Sequence, residues 1–258
     1  MFTLDKWYVD LVTDDGAALI GYSADLRWHA IHLRYASFLV SRPGQPPREH
    51  AIVRGVTAPD ATADRLRWWS PPLRVRGVWH RLTPTIEETL LETPAGTIAW
   101  SCLFPRARAT VEVGDARYEG FGYGEQLRLS LAPWDFPFRA LRWGRHLSAG
   151  HSLVWIEWEG TLARHWAWLD GAPQPAARVV SDGVIGLAAG CVLHWDSGRE
   201  VRRRSVIEAV HDAAPAVVRR LTGRIGSMDE HKRLSRSTLV ADGKVLDEGW
   251  AIHEEVTW

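Results

Sequence analysis

The sequence is poor in cysteine and carries no net charge. Its two cysteines, Cys102 and Cys191, cannot supply the disulfide framework that holds small secreted domains together. Each lies in an apolar run, so we expect two buried free thiols. Because 31 Lys and Arg residues balance 31 Asp and Glu residues, there is no basic surplus to neutralise phosphates. Nucleic acid is therefore not expected as a partner.

Long hydrophobic runs are also missing. The first residues, MFTLDKWYVDL, contain neither the basic segment nor the long apolar segment of a signal peptide. No apolar run approaches the roughly 18 to 20 residues that a membrane-spanning helix needs. These features predict a cytoplasmic protein without a transmembrane segment. Peripheral contact with a membrane and the oligomeric state stay open.

The short motifs of several enzyme classes are absent as well. The sequence has no G-x-S-x-G, no Walker phosphate loop, no C-x-x-C and no H-E-x-x-H. His29 and His32 form H-x-x-H, but residues three apart on a strand face opposite sides, so they are not expected to share a metal ion. The glycines between Gly120 and Gly124 are not followed by a long helix that could bind a phosphate. We therefore expect neither a metal nor a cofactor.

Tryptophan is the residue present in excess. The sequence contains 15 Trp against 6 Phe and 5 Tyr, and each indole is large, rigid and carries one N–H donor. So many indoles indicate broad flat surfaces, either around a wide apolar cavity or between packed sheets.

Short alternating segments run through the whole chain. Trp7–Thr13 alternates between two faces, and the following Asp14-Asp15-Gly16 is typical of a hairpin turn because Asp-Gly tolerates positive φ. Asp242-Gly243 is a second such turn. The one segment with helical character is 214–221. The pattern predicts an all-β protein of the sandwich or barrel type, with one short helix near residues 213–222.

The length of 258 residues suits one large β domain or two medium ones. The two halves have a similar texture, although no sequence repeat is detectable. The weakest point between them is Gly114-Asp115. We therefore predict an N-terminal β domain over residues 1–114 and a C-terminal β domain over residues 115–258.

The stretch from Tyr118 to Gly160 concentrates the residues best suited to chemistry. Three glycines surround Tyr123 and Glu125, a Pro-Trp-Asp corner follows at 133–135, and a Trp-Gly-Arg step lies at 143–145. An ordinary core does not require Tyr, Trp, Glu and Arg in so short a span. A cavity that holds a large apolar ligand and acts on it would use them.

Several short motifs resemble one known family. Trp7-Tyr8-Val9-Asp10 followed by Asp14-Asp15-Gly16 resembles the opening of the carotenoid hydratase (hydroxyneurosporene synthase) and AttH-like proteins. Pro105-Arg106-Ala107-Arg108, Gly122-Tyr123-Gly124-Glu125 and Trp143-Gly144-Arg145 resemble further motifs of the same family. Coverage is nearly end to end, although each motif is short.

The resemblance implies two consecutive lipocalin-like (calycin) β-barrels and a large apolar pocket. Members of the family include hydratases that add water to a carotenoid end group, and tocopherol cyclases and lipocalin-like Diels–Alderases are similar in architecture. This chain departs from the hydratases at two positions, with Glu125 in place of Asp and Leu127 in place of Asn. The carboxylic acid is thus kept, one methylene longer, while its amide neighbour is lost.

Glu125 is the candidate catalytic acid, with Tyr123 as its hydrogen-bond partner. A carboxyl group in an apolar cavity can stay protonated near neutral pH because desolvation disfavours the anion. Tyr123, Glu125 and Leu127 share one face of a strand because side chains alternate with period two. Arg145 leaves a second interpretation open, in which Glu125 and Arg145 form a structural ion pair.

Aromatic residues are the candidates for binding the ligand. Their faces could also stabilise a developing carbocation through cation–π attraction. Asp25, Trp28 and His29 cluster near a turn and could line the opening of the first barrel. The full set of candidate ligand-binding residues is Trp134, Trp143, Arg145, Trp155, Trp28 and His29.

Three functions remain open on the sequence. The first is a cofactor-free enzyme that binds an isoprenoid, polyene or lipid-like molecule and catalyses hydration, cyclisation or isomerisation. The second is a carrier of such a ligand without chemistry. The third is a structural or partner-binding role. Barrels completely filled by side chains would exclude the first two.

Overall fold

The computed structural model describes residues 1–181, 183–205 and 229–257. These residues form two antiparallel sheets of ten strands each. Within the described ranges the helical elements are two short 3-10 turns, Pro133–Asp135 and Ala188–Gly190. The short helix expected near 213–222 lies outside the described residues. None of the described residues forms a helix long and apolar enough to cross a membrane.

The first sheet is built from the first half of the chain. Its strands are β1 (Phe2–Val12), β2 (Ala18–Trp28), β3 (Ile31–Ser41), β4 (Arg48–Ile52), β5 (Asp60–Ala61), β6 (Arg65–Ser70), β7 (Val75–Arg81), β8 (Ile86–Thr93), β9 (Gly96–Val113) and β10 (Ala116–Leu129). They follow the order β4-β3-β2-β1-β10-β9-β7-β6-β5, with β8 paired to β9.

The second sheet repeats this order strand for strand. Its strands are β11 (Phe138–Ser148), β12 (Ser152–Gly160), β13 (Arg164–Leu169), β14 (Ala172–Pro173), β15 (Arg178–Ser181), β16 (Val184–Gly186), β17 (Cys191–Trp195), β18 (Arg199–Ser205), β19 (Asp229–Ala241) and β20 (Lys244–Thr257). The order is β14-β13-β12-β11-β20-β19-β17-β16-β15, with β18 paired to β19. Adding ten to each strand number of the first sheet gives the second, so the fold is an internal duplication.

Each sheet curls around its own hydrophobic core. In the first, alternate residues of β1 (Trp7, Val9 and Leu11) pack with Trp68 and Trp79 inside the curl. In the second, the core is formed by another set, which includes Leu153, Trp155, Ile185, Leu193, Leu239 and Ala251. The alternation of side chains along a strand therefore gives each sheet an inner face on its core and an opposite, outer face.

The chain divides into two compact units after Phe136. The first unit contains Met1–Phe136, and the second begins at Pro137. Gly114-Asp115, where the sequence suggested a boundary, is the hairpin turn between β9 and β10, with Gly114 at φ 60°. β10 belongs to the first unit because it pairs with β1 on its other side. The turn at Gly114-Asp115 therefore joins two paired strands within the first unit.

Candidate functional site

The glycines of β10 decide which way Tyr123 and Glu125 point. A Cβ atom on Gly122 would lie 2.6 Å from the indole of Trp79, and one on Gly124 would lie 3.3 Å from Leu66. Both glycines therefore face the core, where large side chains occupy the space in front of them. Tyr123 and Glu125 alternate with these glycines and so lie on the outer face of the sheet.

Two donors converge on one oxygen of Glu125. The Tyr123 hydroxyl donates to Oε2 at 2.6 Å, and Nε1 of Trp100 donates to the same atom at 2.5 Å. Tyr123 and Trp100 are buried, whereas Glu125 is half-buried. Hydrogen bonds from neutral donors stabilise the charged form of a carboxylate. The arrangement therefore fixes the orientation of Glu125 and favours its anion.

The groups around Glu125 hold their protons. Burial, with the nearby Cys102 and Glu125, raises the pKa of the Tyr123 hydroxyl well above its usual value. Burial also raises the pKa of the Cys102 thiol well above its usual value. Tyr123 therefore stays a hydrogen-bond donor and Cys102 stays a neutral thiol around neutral pH.

A second buried carboxylate lies beside this group. The hydroxyl of Tyr8 donates to Oδ2 of Asp10 at 2.9 Å, and the rings of Tyr8 and Tyr123 lie 6.0 Å apart. In the pairing of β1 with β10, Tyr8 is opposite Glu125 and Asp10 is opposite Tyr123. We call these four residues together with Trp100 the polar cluster. It places two carboxylates on one patch of the outer face.

An apolar strip continues from the polar cluster along the same face. Leu4, Leu26 and Leu127 on it are half-buried. At its far end the Trp28 ring lies 5.0 Å from that of Trp134. The strip comprises Phe2, Leu4, Leu26, Trp28, Leu127 and Trp134. Lys6 lies on the same face between Leu4 and Tyr8, with its ammonium 5.0 Å from the Tyr22 ring centroid. Tyr8 is six positions after Phe2 along β1, a distance of about 20 Å at the usual strand rise.

The structure places the three residues expected at the opening of the first barrel in three different surroundings. Asp25 lines a cavity of about 570 Å³ together with Thr3, Asp5, Trp7, Arg34 and Arg128, among others. Trp28 packs against Trp134 on the outer face, and His29 occupies the exposed turn after β2 at φ 51°. The alternation along β2 separates Asp25 from Trp28.

The other predicted residues belong to the second unit. Arg145 is completely buried and donates to the Trp250 carbonyl at 3.2 Å. Trp143 is also buried, and the Lys232 ammonium lies 5.4 Å from its ring centroid. Trp155 points into the second core, where it stacks on Trp195 at 5.2 Å. The proposed pairing of Glu125 with Arg145 stays a prediction.

The sequence did not reveal Trp100 as part of the site. Trp100 is opposite Leu127 in the pairing of β9 with β10, two residues from Glu125 along the strand. Trp100 is therefore a diagonal cross-strand neighbour of Glu125, and the sequence does not show this register between β9 and β10. Tyr8 and Asp10, which the alternation along β1 places on one face, are also part of the polar cluster. Within the described ranges, no group of three His, Cys, Asp or Glu side chains could hold a metal ion.

Comparisons with known proteins identify the fold. No family model matches the sequence, and no curated protein matches it. Among solved structures, CghA crystallised with Sch210972 superposes with a TM-score of 0.64 at 13% identity, over 99% of this chain and 88% of CghA. An AttH-like protein of Nitrosomonas europaea gives 0.55 at 10% identity, over 98% and 91% of the two chains.

The chain has the two-domain, calycin-like fold of the carotenoid hydratase and AttH-like proteins. Kievitone hydratase of Nectria haematococca has this fold too, with a TM-score of 0.56 at 9% identity over 98% of this chain and 88% of the hydratase. The resemblance carried by the short motifs at Trp7, Pro105 and Gly122 is thus confirmed. At these identities the likeness concerns the fold alone.

Proposed function

We propose that the chain binds an apolar small molecule along the apolar strip and that Glu125 exchanges a proton with it. The reaction would be a hydration, cyclisation or isomerisation that needs no cofactor. The observation that carries this proposal is the convergence of Tyr123 and Trp100 on Oε2 of Glu125. A merely structural carboxylate does not require two buried aromatic donors on one oxygen.

Tyr123 and Trp100 both donate to Oε2 of Glu125, and we assign the proton exchanged with a ligand to the same carboxyl group. The donors favour the carboxylate, so the cycle starts with Glu125 accepting a proton and ends with its return. The sequence-based hypothesis assigned Glu125 as an acid from the start, and we now propose that it first acts as a base.

Isomerisation and hydration can each be balanced with this one carboxyl group. In an isomerisation, Glu125 removes a proton from one carbon and returns it to another carbon of the same molecule. In a hydration, Glu125 takes a proton from water as the oxygen bonds to one carbon, and then delivers that proton to the other. In both cases the carboxylate is regenerated.

The apolar strip supports an elongated apolar ligand. Its length of about 20 Å suits a polyene, isoprenoid or polyketide chain. Trp28 and Trp134 at one end offer flat apolar faces, and the polar cluster at the other end presents the half-buried carboxyl group of Glu125. Such a ligand would lie with its reacting end at Glu125.

The solved neighbours are consistent with small-molecule chemistry on this fold. One of them is a hydratase, kievitone hydratase, and CghA was crystallised with the compound Sch210972. These names apply to those proteins. They support the class of reaction and leave the substrate of this chain to experiment.

The experiment compares Glu125→Gln with Glu119→Gln. Glu119 lies on the same strand, but its side chain is exposed and pairs with Arg117. Small molecules that co-purify with the protein are identified by native mass spectrometry. They are then offered in D₂O, with farnesol and all-trans-retinol as additional probes. Mass spectrometry of the products measures uptake of solvent deuterium.

We expect deuterium uptake to fall by about 100-fold or more in Glu125→Gln and to stay unchanged in Glu119→Gln. Binding, measured by quenching of tryptophan fluorescence, should remain in both variants. Equal uptake by the two variants would contradict the role of Glu125. In the wild-type protein, binding with neither deuterium uptake nor an isomerised product would exclude proton transfer and leave a carrier of apolar ligands.

A further inference from the structure

The second unit contains a cavity of its own. It measures about 440 Å³ and lies against the stacked indoles of Trp155 and Trp195. Val179 and His253 complete the part of the lining nearest to these rings. Leu153, Leu193 and other aliphatic side chains fill the hydrophobic core of the same unit.

The aromatic wall has a defined geometry. The Trp155 and Trp195 rings are 5.2 Å apart with an interplanar angle of 26°, and the His253 ring lies 5.6 Å from Trp195 at 51°. Gly144 makes this possible, since a Cβ atom there would lie 2.1 Å from the Trp155 ring. Flat, polarisable faces of this kind bind flat ligands by stacking.

His253 supplies a hydrogen-bond acceptor to this wall. The Ser235 hydroxyl donates to the Asp196 carbonyl at 2.9 Å, and the same hydroxyl oxygen lies 2.9 Å from Nε2 of His253. Since the hydroxyl proton is used, Ser235 accepts the proton of Nε2–H, and Nδ1 carries the lone pair. Burial, with the nearby Arg233, lowers the pKa of His253 to about 4, so the ring is neutral near pH 7.

The charges at the cavity do not favour an anion. Arg142 is paired with Glu157, Glu159 and Glu255, and its pKa is raised despite its partial burial because these carboxylates surround it. Two guanidiniums, Arg142 and Arg233, line the cavity together with three carboxylates, Asp196, Glu254 and Glu255. A carboxylate ligand would therefore enter a site that already holds an excess of negative charge. A neutral ligand meets no such penalty.

We propose that the second barrel binds a neutral, flat aromatic molecule that stacks on Trp195 and donates one hydrogen bond to His253. A phenolic hydroxyl or an aromatic N–H would serve as the donor. This site lies in the second unit and is independent of the proton transfer proposed for Glu125. The chain thus has two sites for two classes of small molecule.

The test uses three probes that differ in one group. 2-Naphthol carries a donor, 2-methoxynaphthalene replaces it with a methyl ether, and 2-naphthoate is an anion of similar size. Affinities for the full-length protein are measured by titration calorimetry. We expect 2-naphthol to bind about tenfold more tightly than 2-methoxynaphthalene, because one hydrogen bond changes a dissociation constant by about this factor. 2-Naphthoate should bind more weakly still.

Variants assign the site to the second barrel. Trp195→Leu should weaken all naphthalene binding, and His253→Phe should remove the preference for 2-naphthol over its methyl ether. His194→Phe serves as the control, because the His194 side chain is exposed and does not line the cavity, and it should bind all three probes as the wild type does. Thermal melting checks that each variant is folded, and if Trp195→Leu is not, His253→Phe alone decides.

Two results would overturn the proposal. One is the failure of 2-naphthol to bind the wild-type protein. The other is a preference for 2-naphthol that persists in folded His253→Phe.

Discussion

His146 shows how strongly burial controls a single residue in this fold. It is fully buried in the second unit, where Nδ1 lies 2.7 Å from the Ser237 hydroxyl oxygen. Among the described residues Nε2 has no hydrogen-bond partner. Burial lowers the pKa of His146 to about 4, against an ordinary value of 6.5. Between the pKa of about 4 in the folded protein and the ordinary value of 6.5, the folded protein therefore keeps the imidazole neutral, whereas the unfolded chain binds a proton there.

The stability of the protein should depend on pH through His146. Its contribution is fully present above the unfolded pKa of 6.5 and is lost as the pH falls towards about 4. Between about pH 7 and about pH 5 the loss amounts to about 2 kcal/mol. Urea unfolding of the wild type and His146→Asn at several pH values measures it, and the variant should show the shallower dependence.

His32→Asn is the matched control for this prediction. The His32 side chain is about half exposed and lies 3.0 Å from Asp25. Its replacement should leave the pH dependence of the unfolding free energy close to that of the wild type. An identical pH dependence in wild type and His146→Asn would show that the buried imidazole is not the group responsible.

At the residue scale the sequence predicts faces better than contacts. Period-two alternation correctly places Tyr123 and Glu125 together on one face, and they are hydrogen-bonded. The donor from Trp100 could not be predicted, because it depends on which residues of β9 and β10 are paired. The roles assigned to these residues stay predictions.

At the scale of the element, β10 is shaped by what packs against it. The Trp79 indole lies over Gly122 and donates to the Asp10 carbonyl at 2.7 Å. That bond joins β7 to β1 across the face of β10. Any side chain at position 122 would compete with the indole for the same space.

Gly122→Ala should therefore be destabilising. The new Cβ atom would lie 2.6 Å from both Trp79 and the Asp10 carbonyl oxygen. Overpacking and the weakened hydrogen bond together should cost about 3 kcal/mol of unfolding free energy. Urea denaturation of the purified variant measures the cost.

Two variants control for the space at Gly122. Gly44→Ala meets nothing within 4 Å, and its positive φ of 70° should cost about 1 kcal/mol. The double variant Gly122→Ala/Trp79→Leu should lose less unfolding free energy than the sum of the losses in the two single variants. The reason is that both substitutions change the same space. Strictly additive costs would refute the steric explanation.

The length of β9 shows where strand prediction fails. The sequence suggests separate strands on either side of Pro105, yet β9 runs unbroken as Gly96–Val113. Pro105 falls where the pairing with β10 shifts, between the pairs Phe104–Gly124 and Ala107–Gly122. A proline is tolerated at a bulge because no ladder hydrogen bond is required there. Only the paired strand reveals that the break is a bulge.

At the scale of the molecule, the duplication gives two units with separate cores. Leu66 is fully buried in the core of the first unit, and Leu193 is fully buried in that of the second. The two core clusters have no residue in common. The sequence predicts the all-β, two-domain fold. The sequence does not show the duplication. Two sheets with the same strand order need a similar alternation of polar and apolar side chains, but they do not need the same residues.

Leu66→Ala and Leu193→Ala should loosen different halves of the chain. Each removes a fully buried side chain and should cost about 2–5 kcal/mol. Hydrogen exchange with mass spectrometry should show faster exchange in residues 1–136 for Leu66→Ala, and in residues from 137 onwards for Leu193→Ala. The variants control for each other, and equal acceleration throughout the chain in both would indicate one cooperative unit.

The distribution of cysteine gives each unit a chemical reporter of its own. Cys102 lies beside Tyr123 in the first unit and Cys191 lies in the core of the second, and both thiols are free and buried. Burial raises the pKa of both, so a thiol-specific reagent reacts only when the surrounding strands open. The labelling rate of each thiol therefore reports how often the strands of its own unit open. A ligand bound at Glu125 would slow the labelling of Cys102.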